Sequence, residues 1–305
     1  MTQMHLRPVT EPTRVELEAT SSPKVADVTA AHQTAALETL RHDYTATARA
    51  ARVYEHLLGG VDAFKADRSA AHDLCQVAPW APRAARANKH FTHVATTTSL
   101  ALGVRQFLDL GAGFPHHPFL HEMVPPGYPV VYVDRDPGVL AHAKCRLDPG
   151  PPYKTAVVAA DLLHMQNLLT HEHLTGALDL TQPIAVTLHD VLPWSTDDTA
   201  AADAMAILRS WLPTGSTLSI THLTGHFDPH GVRQAVAAYE RHDITVRPRG
   251  LAEIAALFGD FVHLSTGLKP LSRWSIHDQP AVRQFTPHPA RSEGCPAFAG
   301  IAVKS

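Results

Sequence analysis

Cysteine is scarce in this chain of 305 residues: Cys75, Cys145 and Cys295 are odd in number and far apart. That excludes a disulfide framework and a cysteine zinc site. Long apolar runs are lacking too, since none approaches the ~20 residues that span a bilayer. The opening segment MTQMHLRPVTEPTRVELEATSSP has no apolar core of the kind a signal peptide needs. Charge is nearly balanced at a formal −3, which leaves no polycationic footprint for nucleic acid. These absences lead to the expectation of a cytoplasmic protein with neither nucleic acid nor membrane as partner; they leave the oligomeric state open. Composition is otherwise that of an ordinary globular protein, with 45% hydrophobic and 18% charged residues.

Histidine, by contrast, is abundant at 22, so metal binding has to be weighed. His117 and His121 are four apart and could share a helix face, but no H-E-x-x-H occurs. His171 and His173 are two apart and would not face one another on a helix. The expectation is no metal.

The most informative run is FLDLGAGFP, residues 107–115. Its apolar residues up to Leu110 read as a buried parallel strand, and Gly111 and Gly113 make a tight turn after it. Asp134 stands 23 positions past Gly111, at the end of a second apolar run, PVVYVD. A strand, a glycine turn, a helix and a carboxylate closing the next strand make a nucleotide-binding half-fold. The glycines let a ligand approach the backbone, and the carboxylate accepts hydrogen bonds from ribose hydroxyls. The turn reads D-L-G-A-G-F-P, not G-x-G-x-x-G, with Phe114 and Pro115 expected in the space a pyrophosphate would need. That favours a nucleoside without phosphates, of which S-adenosylmethionine is the common one.

Residues 1–38 mix Thr, Ser, Pro and charge without periodicity and read as a mobile arm. Residues 39–100 read as a cap of three helices, one of them stopping at Gly59-Gly60. Residues 101–277 alternate strand and helix. Strands are expected at 105–110, 129–134, 155–159, 184–188, 216–221, 261–265 and 271–276. Helices are expected at 118–123, 138–147, 162–169, 198–212, 229–242 and 250–258. Such alternation argues a parallel sheet covered on both faces. The short turn at 266–270 makes one of the last two strands antiparallel, and residues 278–305 are expected as an irregular, Pro-rich tail.

The segment RVYEHLLGGVDAFKADR, residues 52–68, is followed by RAARANKHF at 83–91. Together they resemble the actinobacterial S-adenosylmethionine-dependent methyltransferases that carry an RVYDYLLGGKDNFAADR-type signature before the nucleotide fold. The match continues through RQFLDLGAGFP, VVYVDRDPGVLAHA, the AADL of 159–162 and LSRW at 271–274, and covers about residues 44–276. The resemblance implies an α/β, Rossmann-like class I methyltransferase fold: a seven-stranded, mostly parallel sheet with an N-terminal helical cap. It also implies S-adenosylmethionine as co-substrate and a small-molecule acceptor.

Carried over residue by residue, Asp109, Gly111 and Gly113 would hold the methionine part and ribose of the donor. Asp134 would hold the ribose hydroxyls and Asp161 the adenine amino group, Asp161 having an alternative as the N-cap of the next helix. Tyr54, Arg86 and Asn88 lie in the signature segments and are expected to line the cleft. The other reading is helix packing, with Arg86 a surface charge. The chain departs from the family at AVTLHDVLPW, residues 185–194. The family has small apolar residues where His189 and Asp190 stand, and a histidine where Pro193 stands. Beyond a C-terminal strand end such residues reach the ligand. A His–Asp pair there could deprotonate a phenol or alcohol. Alternatively Asp190 could hold an ammonium group of donor or acceptor, or both residues could merely bond the loop. Trp194 could stack on the acceptor or a cation, or pack in the core.

The function implied is methyl transfer to a small-molecule acceptor of secondary metabolism, such as antibiotic biosynthesis. One alternative is isonocardicin synthase-like transfer of the 3-amino-3-carboxypropyl group to a phenol or other natural-product nucleophile, releasing methylthioadenosine. The other is a protein that binds S-adenosylmethionine without chemistry.

Overall fold

The computed structural model describes residues 43–147, 150–264, 267–274 and 294–305. The arm expected at 1–38 lies outside the described residues. Apolar runs flanked by turn residues form five parallel strands. They are β1 (Phe107–Leu110), β2 (Pro129–Asp134), β3 (Lys154–Ala159), β4 (Ala185–His189) and β5 (Thr217–Leu223). Their spatial order is β3-β2-β1-β4-β5, so the sheet reverses direction of growth beside β1. That reversal opens a crevice beyond the strand ends. Three C-terminal strands complete the sheet: β6 (Val262–His263), β7 (Lys269–Pro270) and β8 (Ala297–Val303). β8 runs antiparallel between β5 and β6 and also pairs with β7.

Helices cover both faces. α1 (Ala50–Leu57), α2 (Lys65–Val77) and α3 (Ala81–Ala101) precede the sheet, and α4 (Pro137–Arg146), α5 (Met165–Leu169) and α6 (Glu172–Ala177) follow its first strands. α7 (Asp198–Trp211), α8 (Pro229–Glu240) and α9 (Leu251–Phe258) complete the set. Aspartates start three of them: Asp136, Asp197 and Asp228 each accept backbone N–H groups in the first turn of α4, α7 and α8. The main core packs Leu108, Val131 and Leu188 of the sheet against Met205, Leu208 and Phe258 of α7 and α9. A second core joins Val53, Leu57 and Leu74 of α1 and α2 to Ala235 and Tyr239 of α8. Among the described residues no helix is long and apolar enough to cross a membrane.

The end of the chain corrects the expectation. Of the strand expected at 271–276, Leu271–Arg273 is instead a single 3-10 turn, and residues 275–276 lie outside the described residues. The antiparallel strand comes from the segment expected to be an irregular tail, as β8, AFAGIAV. Ala or Gly at four of its seven positions weakens its strand signal. A Cβ on Gly300 would lie 2.8 Å from Leu268 Cδ2 and 3.1 Å from Phe258 Cζ, so the strand is thin where α9 and its neighbours press on it. α6 was also not expected, and the helix expected at 118–123 is only the 3-10 turn Leu120–Glu122.

Two residues of the N-terminal signature have a structural role. Arg52 Nε donates to Asp67 Oδ2 at 2.7 Å, and the side chains are 1% and 0% exposed. Asp67 also accepts the backbone N–H groups of Arg49 and Phe64, at 2.9 and 2.8 Å, so one carboxylate binds the start of α1 to the start of α2. Asp67→Ala leaves a guanidinium buried opposite an apolar methyl. A loss of about 3–5 kcal/mol in unfolding free energy is expected in urea titrations; a variant of wild-type stability would contradict this role.

Candidate active site

The glycine turn after β1 forms the floor of a cleft. Gly111 and Gly113 have φ of +76° and +64°, the left-handed region that other residues avoid. A Cβ on Gly111 would run into the Val191 side chain, whereas one on Gly113 would meet nothing within 4 Å. Both glycines line a cleft of about 480 Å3, together with Asp109, Asp134, Asp161, Lys89, Thr92, His189 and Asp190. That volume falls in the range of ordinary small-molecule sites.

Each carboxylate in the cleft has its own fixing bonds. Gly113 N–H donates to Asp134 Oδ2 and Asp136 N–H to Oδ1, both at 2.9 Å. Burial raises the Asp134 pKa above its ordinary value in spite of those bonds. Thr187 Oγ1 donates to Asp109 Oδ1 at 2.5 Å. Burial also raises Asp109, with the Lys89 ammonium and Thr187 acting against it, and burial lowers Lys89. Asp161 Oδ1 accepts Leu163 N–H at 3.0 Å, capping the turn that follows, while Arg135 Nη1 donates to Oδ2 at 2.9 Å. Burial opposes ionisation of Asp161, but these partners outweigh it and hold the pKa below its ordinary value.

Phe114 and Pro115 do not occupy ligand space. Both are buried, neither lines the cleft, and Phe114 makes an edge contact with His142 of α4, ring centroids 5.2 Å apart. A pyrophosphate is disfavoured for another reason: no α-helix N-terminus follows the glycine turn to receive it.

A second, smaller cavity lies beside the cleft, and the two share Tyr54, Asn88, Asp190 and Trp194 as lining residues. Three of the four residues expected to meet an acceptor are therefore brought together with Asp190. The fourth, Arg86, is exposed and lines neither cavity, because the helical face that carries Asn88 inward turns it outward. Asn88 Nδ2 donates to Tyr54 Oη at 2.8 Å, Tyr54 Oη donates to Ala85 O at 3.2 Å, and Thr221 Oγ1 donates to Asn88 Oδ1 at 2.5 Å. Trp194 stands edge-on to Tyr239, centroids 5.3 Å apart.

His189 and Asp190 do not form the expected His–Asp pair. His189 Nδ1 lies 2.8 Å from Thr92 Oγ1, and Nε2 lies 2.9 Å from Ser219 Oγ. Ser219 Oγ also lies 3.2 Å from Val186 O and Thr92 Oγ1 3.3 Å from Asn88 O, so each hydroxyl ties the ring to a backbone carbonyl. Burial, reinforced by Lys89, depresses the His189 pKa to about 3, so the ring is neutral at physiological pH and a poor base. Asp190 is the reverse case. Its backbone sits at φ +57°, with its N–H donated to Thr221 O at 3.2 Å. Its carboxylate accepts no hydrogen bond among the described residues, and burial raises its pKa to about 7.

Sequence reasoning missed what holds the Asp190 loop. Arg249, 3% exposed, donates to Leu192 O and Ser195 O at 3.0 Å each and pairs with Asp198 at 2.8 Å. Its Nη1 also donates to His222 Nε2 at 3.0 Å, the other ring nitrogen being engaged with Leu223 O. An arginine 59 residues past Asp190 carries no local signal of this role. Lys89 and Thr92 were missed as well, although they share the α3 segment that supplies Asn88.

The other described histidines that the sequence singled out do not gather at the cleft. His117 pairs with Glu122 at the surface, and His121 is buried against Tyr132. His171 precedes α6 as its N-cap, so its ring stacks on His173 with centroids 5.4 Å apart, contrary to the helical expectation. Among the described residues no three His, Cys, Asp or Glu side chains gather as a metal site.

The sequence model of one family, S-adenosyl methyltransferase, matches residues 38–305. The chain belongs to that family. A solved DUF574 family protein from Streptomyces avermitilis MA-4680 is 30% identical, with a TM-score of 0.77 over 86% of this chain and 99% of that one. A protein from Thermobifida fusca YX described as a candidate methyltransferase is 31% identical, with a TM-score of 0.74 over 85% of this chain and 96% of that one. No match was found among curated proteins. Membership of the S-adenosyl methyltransferase family supports S-adenosylmethionine as donor, and the Rossmann-like, mostly parallel sheet is the architecture shared with these relatives.

The raised Asp190 pKa makes a testable statement about stability. A native carboxyl raised from 3.8 to about 7 contributes stability fully below 3.8 and loses it as pH rises through about 7. Asp190→Asn removes that loss, and Asn tolerates the left-handed backbone. The variant should gain in melting temperature over the wild type as pH rises across this window. His189 and His222, depressed to about 3 and about 4, titrate alike in both proteins and cancel in the difference. A difference that does not vary with pH would show that Asp190 is not held neutral by burial.

Proposed function

We propose that this methyltransferase moves a methyl group from S-adenosylmethionine to a small-molecule nucleophile held in the smaller cavity, with Asp190 as proton acceptor. One observation carries the reading: Asp190, unpartnered among the described residues, is common to the donor cleft and the adjoining cavity.

The residues present fit the donor. When bound, S-adenosylmethionine supplies an electrophilic methyl carbon on a sulfonium. Asp134 has spent one lone pair per oxygen on Gly113 and Asp136, and the remaining ones accept the two ribose hydroxyls. The open space above Gly113 leaves room for the sugar. Lys89 suits the donor's carboxylate and Asp109 its ammonium, each lying in the other's field. Asp161 retains lone pairs for the adenine amino group while it caps its own turn.

Asp190, with its pKa near neutral, takes a proton from the acceptor as attack begins. General-base assistance of this kind is worth ~10²–10⁴-fold. His189 acts as a fixed wall that orients Thr92 and Ser219, a positioning residue and not the base.

Asp134→Ala should weaken S-adenosylmethionine binding about 10- to 100-fold in calorimetry, the value of a charge-assisted hydrogen bond. Unchanged affinity in a folded variant would remove Asp134 from the site. Turnover should release S-adenosylhomocysteine; methylthioadenosine in its place would mark aminocarboxypropyl transfer and replace the methyl-transfer reading.

A further inference from the structure

The smaller cavity has a distinctive chemical make-up. Its walls are mostly Ala, Leu, Val and Pro, with four aromatic side chains: Tyr54, Trp80, Trp194 and Tyr239. Among the described residues Asp190 is the only charged one that lines it. The hydroxyl of Tyr54 is committed to Asn88 and Ala85 O. Asp190 and Tyr239 make no side-chain hydrogen bond among the described residues, and the buried indole N–H of Trp80 has no partner either.

We propose that the acceptor is a small amine that binds as its ammonium ion against the Asp190 carboxylate, with its apolar body among the aromatic side chains. The inference rests on the methyltransferase reading and names its substrate class.

Charge balance carries the argument. A carboxylate among apolar walls is costly unless a cation joins it. Lys89 lines the cleft side, where the Asp109 charge acts on it, and does not line this cavity. Aromatic faces favour a cation further. A neutral phenol or alcohol brings no charge: it leaves the anion uncompensated, or meets a protonated Asp190 that can no longer take its proton. An ammonium ion resolves both difficulties. Its proton passes to an Asp190 oxygen, leaving a neutral amine with a free lone pair beside a neutral acid. That lone pair forms the new N–C bond while the electrons of the S–C bond stay on sulfur, so one positive charge moves from sulfur to nitrogen. The pKa of about 7 keeps the acid and anion forms of Asp190 close in energy, as such a transfer needs. The other titratable groups that feel this carboxylate, Tyr54, Tyr239 and Cys295, are all pushed upward mainly by burial and remain neutral.

A pair of ligands of nearly equal shape tests the assignment by binding alone. Benzylamine and benzyl alcohol are titrated into the full-length protein loaded with S-adenosylhomocysteine, in wild type and in Asp190→Asn. Benzylamine should bind about tenfold or more tightly than the alcohol, and the preference should vanish in the variant. Equal or tighter binding of the alcohol, a preference that survives in Asp190→Asn, or no binding of either ligand at millimolar concentration would overturn the amine assignment alone. Failure of S-adenosylhomocysteine to bind would instead strike the donor reading and remove the basis of both.

Discussion

One buried amide holds the two halves of the site together. Asn88 donates to Tyr54 on α1 and accepts from Thr221 on β5, so a single α3 side chain fastens the helical cap to the sheet. Hydrogen bonds of this kind count for more than their net strength, because losing either partner leaves a buried polar group unpaired. The same stretch of α3 presents Lys89 and Thr92 to the cleft. If the amide shifts, Lys89, the His189 ring and the wall of the second cavity shift with it.

Adjacent residues then acquire opposite chemistry from their surroundings. His189 and Asp190 are consecutive, and burial penalises the charge on each. For the imidazole this means a pKa near 3, for the carboxyl one near 7. The histidine has also lost both ring nitrogens to Thr92 and Ser219, whereas the aspartate keeps its oxygens free of protein partners among the described residues. Environment, not residue type, decides which of the two can handle a proton at neutral pH.

The loop that carries them is held from both sides. The backbone of Asp190 is pinned to β5, and Arg249 grips the carbonyls of Leu192 and Ser195. The absence of a side chain on Gly111 leaves room for Val191. The glycine turn and the Asp190 loop are therefore packed against each other, and one cannot move far without the other.

Local chemistry made the first half of this molecule legible. Strand β1 and the two glycines read from a few neighbouring residues, and Asp134 from its place at the end of the next apolar run. Tyr54 and Asn88, from the signature segments, and Trp194, from the segment that departs from the family, were also named from local sequence and now line the shared wall. Tertiary structure alone decided the rest. Four of the seven residues of strand β8 are Ala or Gly, and it follows a Pro-rich stretch, so pairing with β5, β6 and β7 reveals it where the sequence pattern did not. Arg86 and Asn88 sit two residues apart on one helix, and only docking determines which of them faces the cleft. Arg249 reaches the Asp190 loop from 59 residues away along the chain. The separation of His189 from Asp190 follows from where Thr92 and Ser219 lie in space. Desolvation and long-range pairing are properties of the packed chain, and no window of sequence contains them.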